Sequence, residues 1–170
     1  MSNRVLLLEL SLMLCLVIIP ACKAETSSNE SAAQIVIPTS INLVASADLG
    51  QTTQIDLIRR EDRNETSTSR LELLFVFTDE DTINSLVSSL DNDLDLDLRA
   101  GCPSHYLLVF HLADGRRYEF DYACELASPS FLRGGQEFWH GLDVIVPDSF
   151  NRLISGYIIE AATREKLYED

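Results

Sequence analysis

Two carboxylates that could do acid–base chemistry, Glu119 and Asp121, lie two residues apart in a predicted strand. Alternate residues of a strand point to the same face, so both side chains would lie beside Arg117. If one of the two were buried, they could divide the roles of acid and base. The aromatic residues of this strand occupy its other face, so we interpret the carboxylates as a solvated face. A secreted or envelope hydrolase using Glu119, Asp121 or His140 is the alternative to our leading interpretation, a binding or structural module of unknown ligand.

The run Asp91–Asp97 contains aspartates at alternate positions, and oxygen ligands at this spacing suit a hard cation such as calcium. The EF-hand pattern fails, however, because Leu96 stands where that loop has Gly and Cys102 where it has Glu. A strand explains the same spacing, since leucines would point inward and aspartates to water. We therefore predict an edge strand or a solvated loop, with calcium binding as the alternative. The leucines expected to point inward are Leu94, Leu96 and Leu98.

The three histidines do not make a metal site at their predicted spacing. His105 and His111 share a strand face, but about 20 Å separates them at about 3.3 Å per residue. His140 lies among aromatic residues beside turns. No serine stands in a G-x-S-x-G pattern, and Gly134-Gly135 lacks the lysine of a phosphate-binding loop. We predict no catalytic residue, no metal and no cofactor.

The segment 131–141, FLRGGQEFWHG, combines aromatic residues with an arginine between glycines. Aromatic and arginine side chains are enriched at the energetic centres of recognition surfaces. Arg133, Phe138 and Trp139 therefore form a candidate recognition surface for a protein or small-ligand partner. The alternative is that these aromatic residues anchor a long loop to the core.

Composition excludes one class of partner. The 170 residues include 13 Lys and Arg against 27 Asp and Glu, which gives a net charge of −14 at pH 7. Nucleic acids are bound through basic side chains that neutralise phosphates, so we predict no nucleic-acid binding. The apolar content of 46% is that of a globular protein, and the length suits one domain with its own core.

The N-terminus is predicted to direct export. Residues 1–21 combine one basic residue, Arg4, with an apolar run and then small residues, which is the pattern of a signal peptide. The apolar run, residues 5–19, is shorter than the roughly 20 residues that a spanning helix needs. We therefore predict a signal peptide over residues 1–21.

Residues 19–22, Ile-Pro-Ala-Cys, resemble the lipobox of bacterial lipoproteins, in which the cysteine receives diacylglycerol and becomes the first mature residue. The resemblance implies that Cys22 is lipidated and that its lipid holds the protein at the cell membrane or outer membrane. Residues 22–33 are then the lipidated cysteine and a polar, flexible tether, and residues 34–170 are a single acidic domain. The alternatives are a secreted protein cut near Ala24 and an uncleaved membrane anchor.

Two cysteines remain in the predicted domain, Cys102 and Cys124, because Cys15 lies in the signal peptide and Cys22 would be acylated. An even pair in an oxidising compartment predicts a disulfide. A disulfide that closes a loop of about 22 residues would stabilise the folded protein by roughly 3 kcal/mol. Two buried free thiols are the alternative.

Strands are predicted at residues 54–60 and 70–77 and in a hairpin over residues 105–124. The succession Phe75, Val76, Phe77 predicts that the strand at 70–77 is buried on both faces. Asp114-Gly115 predicts a two-residue type I′ turn in the hairpin, which would set Phe110 opposite Glu119.

Two helices complete the prediction. Residues 79–90 carry apolar residues at helical spacing, with Thr78 as the expected N-cap. A second helix is predicted from Pro147 to Ser155, ended by Gly156. Together these elements predict an α+β fold: a mostly antiparallel sheet with one or two helices packed on one face.

Overall fold

A computed structural model describes residues 38–61, 70–98, 101–134 and 142–168. These residues belong to one compact unit, Val36–Asp170. The predicted signal peptide (1–21) and the tether (22–33) with Cys22 lie outside the described residues.

The described residues contain eight strands and three α-helices, and all of the strand pairs are antiparallel. The fold is therefore α+β with a large antiparallel sheet, as predicted. A short 3-10 helix lies at Leu49–Gln51. The elements, in chain order, are β1 (Ser40–Asn42), α1 (Leu43–Ser46), β2 (Thr52–Glu61), β3 (Arg70–Phe77), α2 (Glu80–Ser89), β4 (Asp93–Asp97), β5 (Tyr106–Leu112), β6 (Arg117–Ala123), β7 (Phe131–Arg133), β8 (Asp143–Ile145) and α3 (Asp148–Tyr168).

The strands lie side by side in the order β1-β4-β8-β7-β6-β5-β2-β3. One face of this sheet shares a hydrophobic core with α2 and α3. Burying one large apolar side chain in such a core contributes roughly 1.5–3 kcal/mol to the stability of the fold. The core includes Ile55, Leu57, Leu108, Phe110, Phe120, Tyr122, Leu132 and Val144 from the sheet, and Ile83, Leu86, Val87, Phe150, Ile154 and Ile158 from the two helices.

The strand residues that alternate with these core residues form the outer face of the sheet. Leu107, Val109 and Phe131 lie on it, and each is buried. Among the described residues they are separate from the core cluster between the sheet and the helices. The outer face therefore has a buried apolar part of its own.

The β5–β6 hairpin forms, but its register differs by one residue from the prediction. Phe110 lies opposite Tyr118 instead of Glu119. The turn has three residues: the Gly115 N–H donates to the Leu112 carbonyl at 3.0 Å, and Gly115 has a φ of 86°. A left-handed glycine after a type I turn adds one residue to the loop. The observed register sets aromatic against aromatic on the core face.

The strand β3 stands at one end of the sheet, and the prediction that both of its faces are buried was wrong. Leu71, Leu73 and Val76 are 58%, 55% and 45% exposed, and we call them the β3 stripe. The register with β2 shifts next to Leu74, which is the extra residue of a bulge. A continuous apolar run is thus also compatible with an edge strand.

The prediction of a strand within Asp91–Asp97 is confirmed by β4. Leu94 is 4% exposed, whereas the aspartates of β4 are exposed. The strand β4 is not the edge strand that was predicted, because the three-residue β1 pairs with its outer side. Leu98 was expected to point inward, but it follows the strand and is 79% exposed.

The helix α2 confirms the predicted helix with a different cap. Asp79, instead of Thr78, is the N-cap, and its side chain accepts a hydrogen bond from the Thr82 backbone N–H at 2.8 Å. The hydrogen bonds from Thr82 lower the pKa of the Asp79 carboxyl. A carboxylate here also carries negative charge at the positive end of the helix dipole.

The helix α3 is longer than predicted. It runs for 21 residues from Asp148 to Tyr168, and Gly156 lies inside it. A glycine within a helix costs roughly 0.5–1 kcal/mol. Ile158 and Ala161 are buried beyond Gly156, so tertiary packing outweighs the local stop signal.

Candidate recognition site at the β7–β8 connection

A buried ion pair closes the end of the β7–β8 hairpin. The Arg133 Nε lies 2.9 Å and 3.1 Å from the two carboxylate oxygens of Asp143, and its Nη2 lies 3.0 Å from Oδ2. The side chains are 10% and 1% exposed. Arginine forms charge-assisted, multidentate bonds of this kind with fixed geometry.

The strand register explains why these two side chains meet. Leu132 lies opposite Val144 in the core. The next residues along each strand are Arg133 and Asp143, which alternation directs to the other face. Residues 134–142 connect the two strands, so the ion pair fixes both ends of this connection.

The disulfide between Cys102 and Cys124 supports the same frame. The two Cα atoms are 5.5 Å apart, and the bond joins the segment before β5 to the end of β6. The Arg133 Nη1 donates to the Cys102 carbonyl at 3.1 Å. The arginine therefore connects the base of the β7–β8 connection to the disulfide.

The buried hydroxyl of Tyr122 on β6 helps to connect the segment between β6 and β7 to α3. The Tyr122 hydroxyl donates to the Asn151 side-chain oxygen and lies 3.5 Å from the Ser130 hydroxyl. The Asn151 amide donates to the Ala127 carbonyl at 2.9 Å. Burial raises the pKa of Tyr122, which keeps the hydroxyl protonated as a donor.

Of the predicted recognition surface, the structure places Arg133 at the base of the connection. There it is mostly buried and engaged with Asp143. Phe138 and Trp139 lie outside the described residues, as does His140. Arg133 thus pairs the end of β7 with the start of β8, and its partner Asp143 was missed because only the register brings the two together.

The carboxylates of the alternative hydrolase hypothesis are both ion-paired. The Arg60 Nη1 lies 2.6 Å from the Asp121 Oδ1, and Arg117 pairs with Glu119. The Asp121 side chain is 25% exposed and the Glu119 side chain 43% exposed. Each of the two carboxylates is thus engaged by a neighbouring guanidinium group.

Two histidines also pair with carboxylates. The His111 Nε2 lies 2.8 Å from the Asp56 Oδ2, and the Gln54 amide donates to the Asp56 Oδ1 at 2.7 Å. His105, just before β5, contacts Glu125, just after β6. Within the described ranges, no three or more His, Cys, Asp or Glu side chains group as ligands for a metal.

The β3 stripe is the exposed apolar feature that the sequence analysis missed. The inner side of β3 is held by α3, because Phe75 packs edge-on against Tyr157 with ring centroids 5.3 Å apart. The Arg59 Nη2 lies 2.7 Å from Glu165 and also pairs with Glu72. The pKa of Glu165 is lowered by its hydrogen bond with Arg59. These contacts fix β3 with its stripe on the outer face.

A cavity of about 370 Å³ lies between the 3-10 helix and α2. Its base is apolar and its rim carries uncharged polar groups and one carboxylate, Asp91. The Asp91 Oδ1 accepts from the Asn42 amide at 3.2 Å. The apolar lining comes from Val44, Leu49, Ile83 and Val87, and the polar rim from Thr52, Asn84, Ser88 and Asp91.

Comparison of the chain with protein-family models, with curated proteins and with solved structures finds no match. No helix in the described part of the chain is long and apolar enough to cross a membrane.

Proposed function

We propose that this chain is an exported cell-envelope lipoprotein whose folded domain is a binding module. In this proposal, residues 1–21 are removed as a signal peptide and Cys22 carries the lipid. Residues 22–33 tether the acidic domain of residues 34–170 to the cell membrane or outer membrane. The partner is a protein or a small ligand of the envelope.

The N-terminal sequence supports export and lipidation through its apolar run and the lipobox-like residues 19–22. The pair Cys102–Cys124 is consistent with this compartment, since structural disulfides persist in oxidising surroundings.

The buried Arg133–Asp143 pair is the observation that carries the binding proposal. Binding residues are disproportionately found in loops that a rigid scaffold positions. The ion pair, the hydrogen bond to Cys102 and the disulfide make such a scaffold at the base of residues 134–142. We place the binding contacts in this connection, with Phe138 and Trp139 as the anchors.

The test is recovery of the partner from intact cells of the native host after chemical crosslinking, with Trp139→Ala compared with wild type. Leu126→Ala is the matched control, because Leu126 is a large apolar residue that is 61% exposed in a different turn. We expect Trp139→Ala to lose the crosslinked partner with an unchanged melting temperature, and Leu126→Ala to retain it. Equal recovery with Trp139→Ala and wild type would overturn the proposed binding site.

A further inference from the structure

We propose that two copies of this chain pair edge to edge through the N-terminal half of β3, antiparallel about a two-fold axis at Leu71. The proposal concerns a surface separate from the β7–β8 connection and does not depend on the proposed function. Its partner is a second copy of this chain, and its product is one sheet continuous across two protomers.

The two edges of the sheet are protected very differently. The β1 edge is three residues long and lies beside the aspartates of β4. The β3 edge is eight residues long, RLELLFVF, and six of these residues are apolar. Natural edge strands are usually short or charged, because a long apolar edge pairs readily with another strand. The bulge at Leu74 interrupts the pairing of β3 with β2, whereas residues 70–73 pair with β2 in an unbroken register. This regular half of β3 is the half that a second copy can extend.

This half of β3 is complementary to itself. In an antiparallel pair about Leu71, Arg70 of each copy lies opposite Glu72 of the other, on the face where Glu72 already contacts Arg59. Opposite charges across a strand pair are favourable. Leu71 lies opposite its own copy on the outer face, with Leu73 at the diagonal position. Each protomer contributes two leucines that are more than half exposed, Leu71 and Leu73, and the four leucines of the two copies would thus cover one another.

The distribution of charge permits two acidic chains to meet at this edge. The strand β3 carries one residue of each sign, Arg70 and Glu72, and is locally neutral. The exposed aspartates of β4 lie six strand spacings away, about 29 Å at about 4.8 Å each. At physiological salt the Debye length is about 8 Å, so the repulsion between the β4 aspartates of one copy and the other copy is screened at β3. An isologous pair of this kind closes on itself as a dimer.

The test is disulfide crosslinking of full-length Leu71→Cys in oxidising buffer, followed by non-reducing electrophoresis, with Cys15→Ser and Cys22→Ser in every variant so that the introduced cysteine is the one thiol outside the Cys102–Cys124 disulfide. Cα atoms opposite each other in an antiparallel pair are about 4.5–5.5 Å apart, within the range of a disulfide. Leu126→Cys is the control, since Leu126 is 61% exposed against 58% for Leu71. We expect at least about tenfold more covalent dimer with Leu71→Cys than with Leu126→Cys. Adding Arg70→Glu places like charges opposite each other and should lower the dimer yield by about fivefold.

Equal crosslinking at positions 71 and 126 would overturn the edge-to-edge dimer. Strong crosslinking of Leu71→Cys that Arg70→Glu leaves unchanged would overturn the two-fold axis at Leu71. Both positions are exposed, so unchanged melting temperatures are expected and separate these outcomes from misfolding. The Trp139→Ala experiment does not involve β3, so the failure of one proposal is distinguishable from the failure of the other.

Discussion

Removing the guanidinium of Arg133 is predicted to be among the most damaging single changes in the described domain. In Arg133→Met, the carboxylate of Asp143 stays 1% exposed and loses the group that holds both of its oxygens. Leaving one partner of a buried ion pair uncompensated costs about 3–5 kcal/mol. The Cys102 carbonyl also loses a hydrogen bond, which adds about 1 kcal/mol. We expect a loss of about 4–6 kcal/mol in the free energy of unfolding.

Urea unfolding at pH 7 measures this loss directly, with fluorescence and circular dichroism as coincident probes. Arg117→Met is the matched control, because Arg117 is 64% exposed and pairs with Glu119 at the surface. Exposed pairs contribute about 0–1 kcal/mol, so this control should change stability little. The double variant Arg133→Met/Asp143→Leu removes both charges and should recover most of the loss.

A loss below about 1 kcal/mol in Arg133→Met would refute this reasoning, since it would mean that Asp143 is neither buried nor dependent on Arg133. If the double variant were as unstable as Arg133→Met, the lost free energy of unfolding would come from altered packing and not from the unpaired charge of Asp143.

Three further changes test other parts of the fold by the same unfolding assay. Asp79→Ala removes the N-cap of α2. Because the pKa of Asp79 is lowered in the folded state, the cap stabilises the protein above the unfolded pKa, and this stabilisation is lost as the pH falls through the folded pKa. The variant should thus be less stable than wild type at pH 7, and the difference should shrink as the pH falls below the unfolded pKa; a difference that does not change with pH would contradict the cap. Gly115→Ala should cost roughly 1–2 kcal/mol because Gly115 has a φ of 86°, and a neutral result would exclude the three-residue turn. Tyr122→Phe should cost about 1 kcal/mol, because the Asn151 oxygen loses a donor, whereas no cost would mean that water replaces the hydroxyl.

Signals between neighbouring residues were enough to predict several elements of the fold. The apolar stripe of α2 and the alternation in β4 are complete within each element, so the sequence shows them directly. The Asp-Gly turn located the hairpin but gave the wrong register, because the same dipeptide occurs in two-residue and three-residue turns. Pairing Phe110 with Tyr118 is a contact between strands, and it decided the register against the local signal.

The predictions that were wrong or missing share a physical cause, because packing between residues distant in sequence determines each of these features. Gly156 stops a helix locally, but Ile158 and Ala161 are buried beyond it and extend α3. The run at Phe75–Phe77 is as apolar as a central strand, and only the strand order shows that it lies at an edge. Asp143 could not be assigned to Arg133 from spacing, because their contact depends on the β7–β8 register.

The central claim, an exported lipoprotein with a disulfide-bonded domain, is tested most directly by the intact mass of the mature protein from its native host. The mass is measured with and without reduction and thiol alkylation. We predict a chain that begins at Cys22 with added mass of lipid size, and two alkylatable thiols, Cys102 and Cys124, only after reduction. An unmodified chain that begins after Ala24, or one that retains residues 1–21, would contradict the lipoprotein assignment.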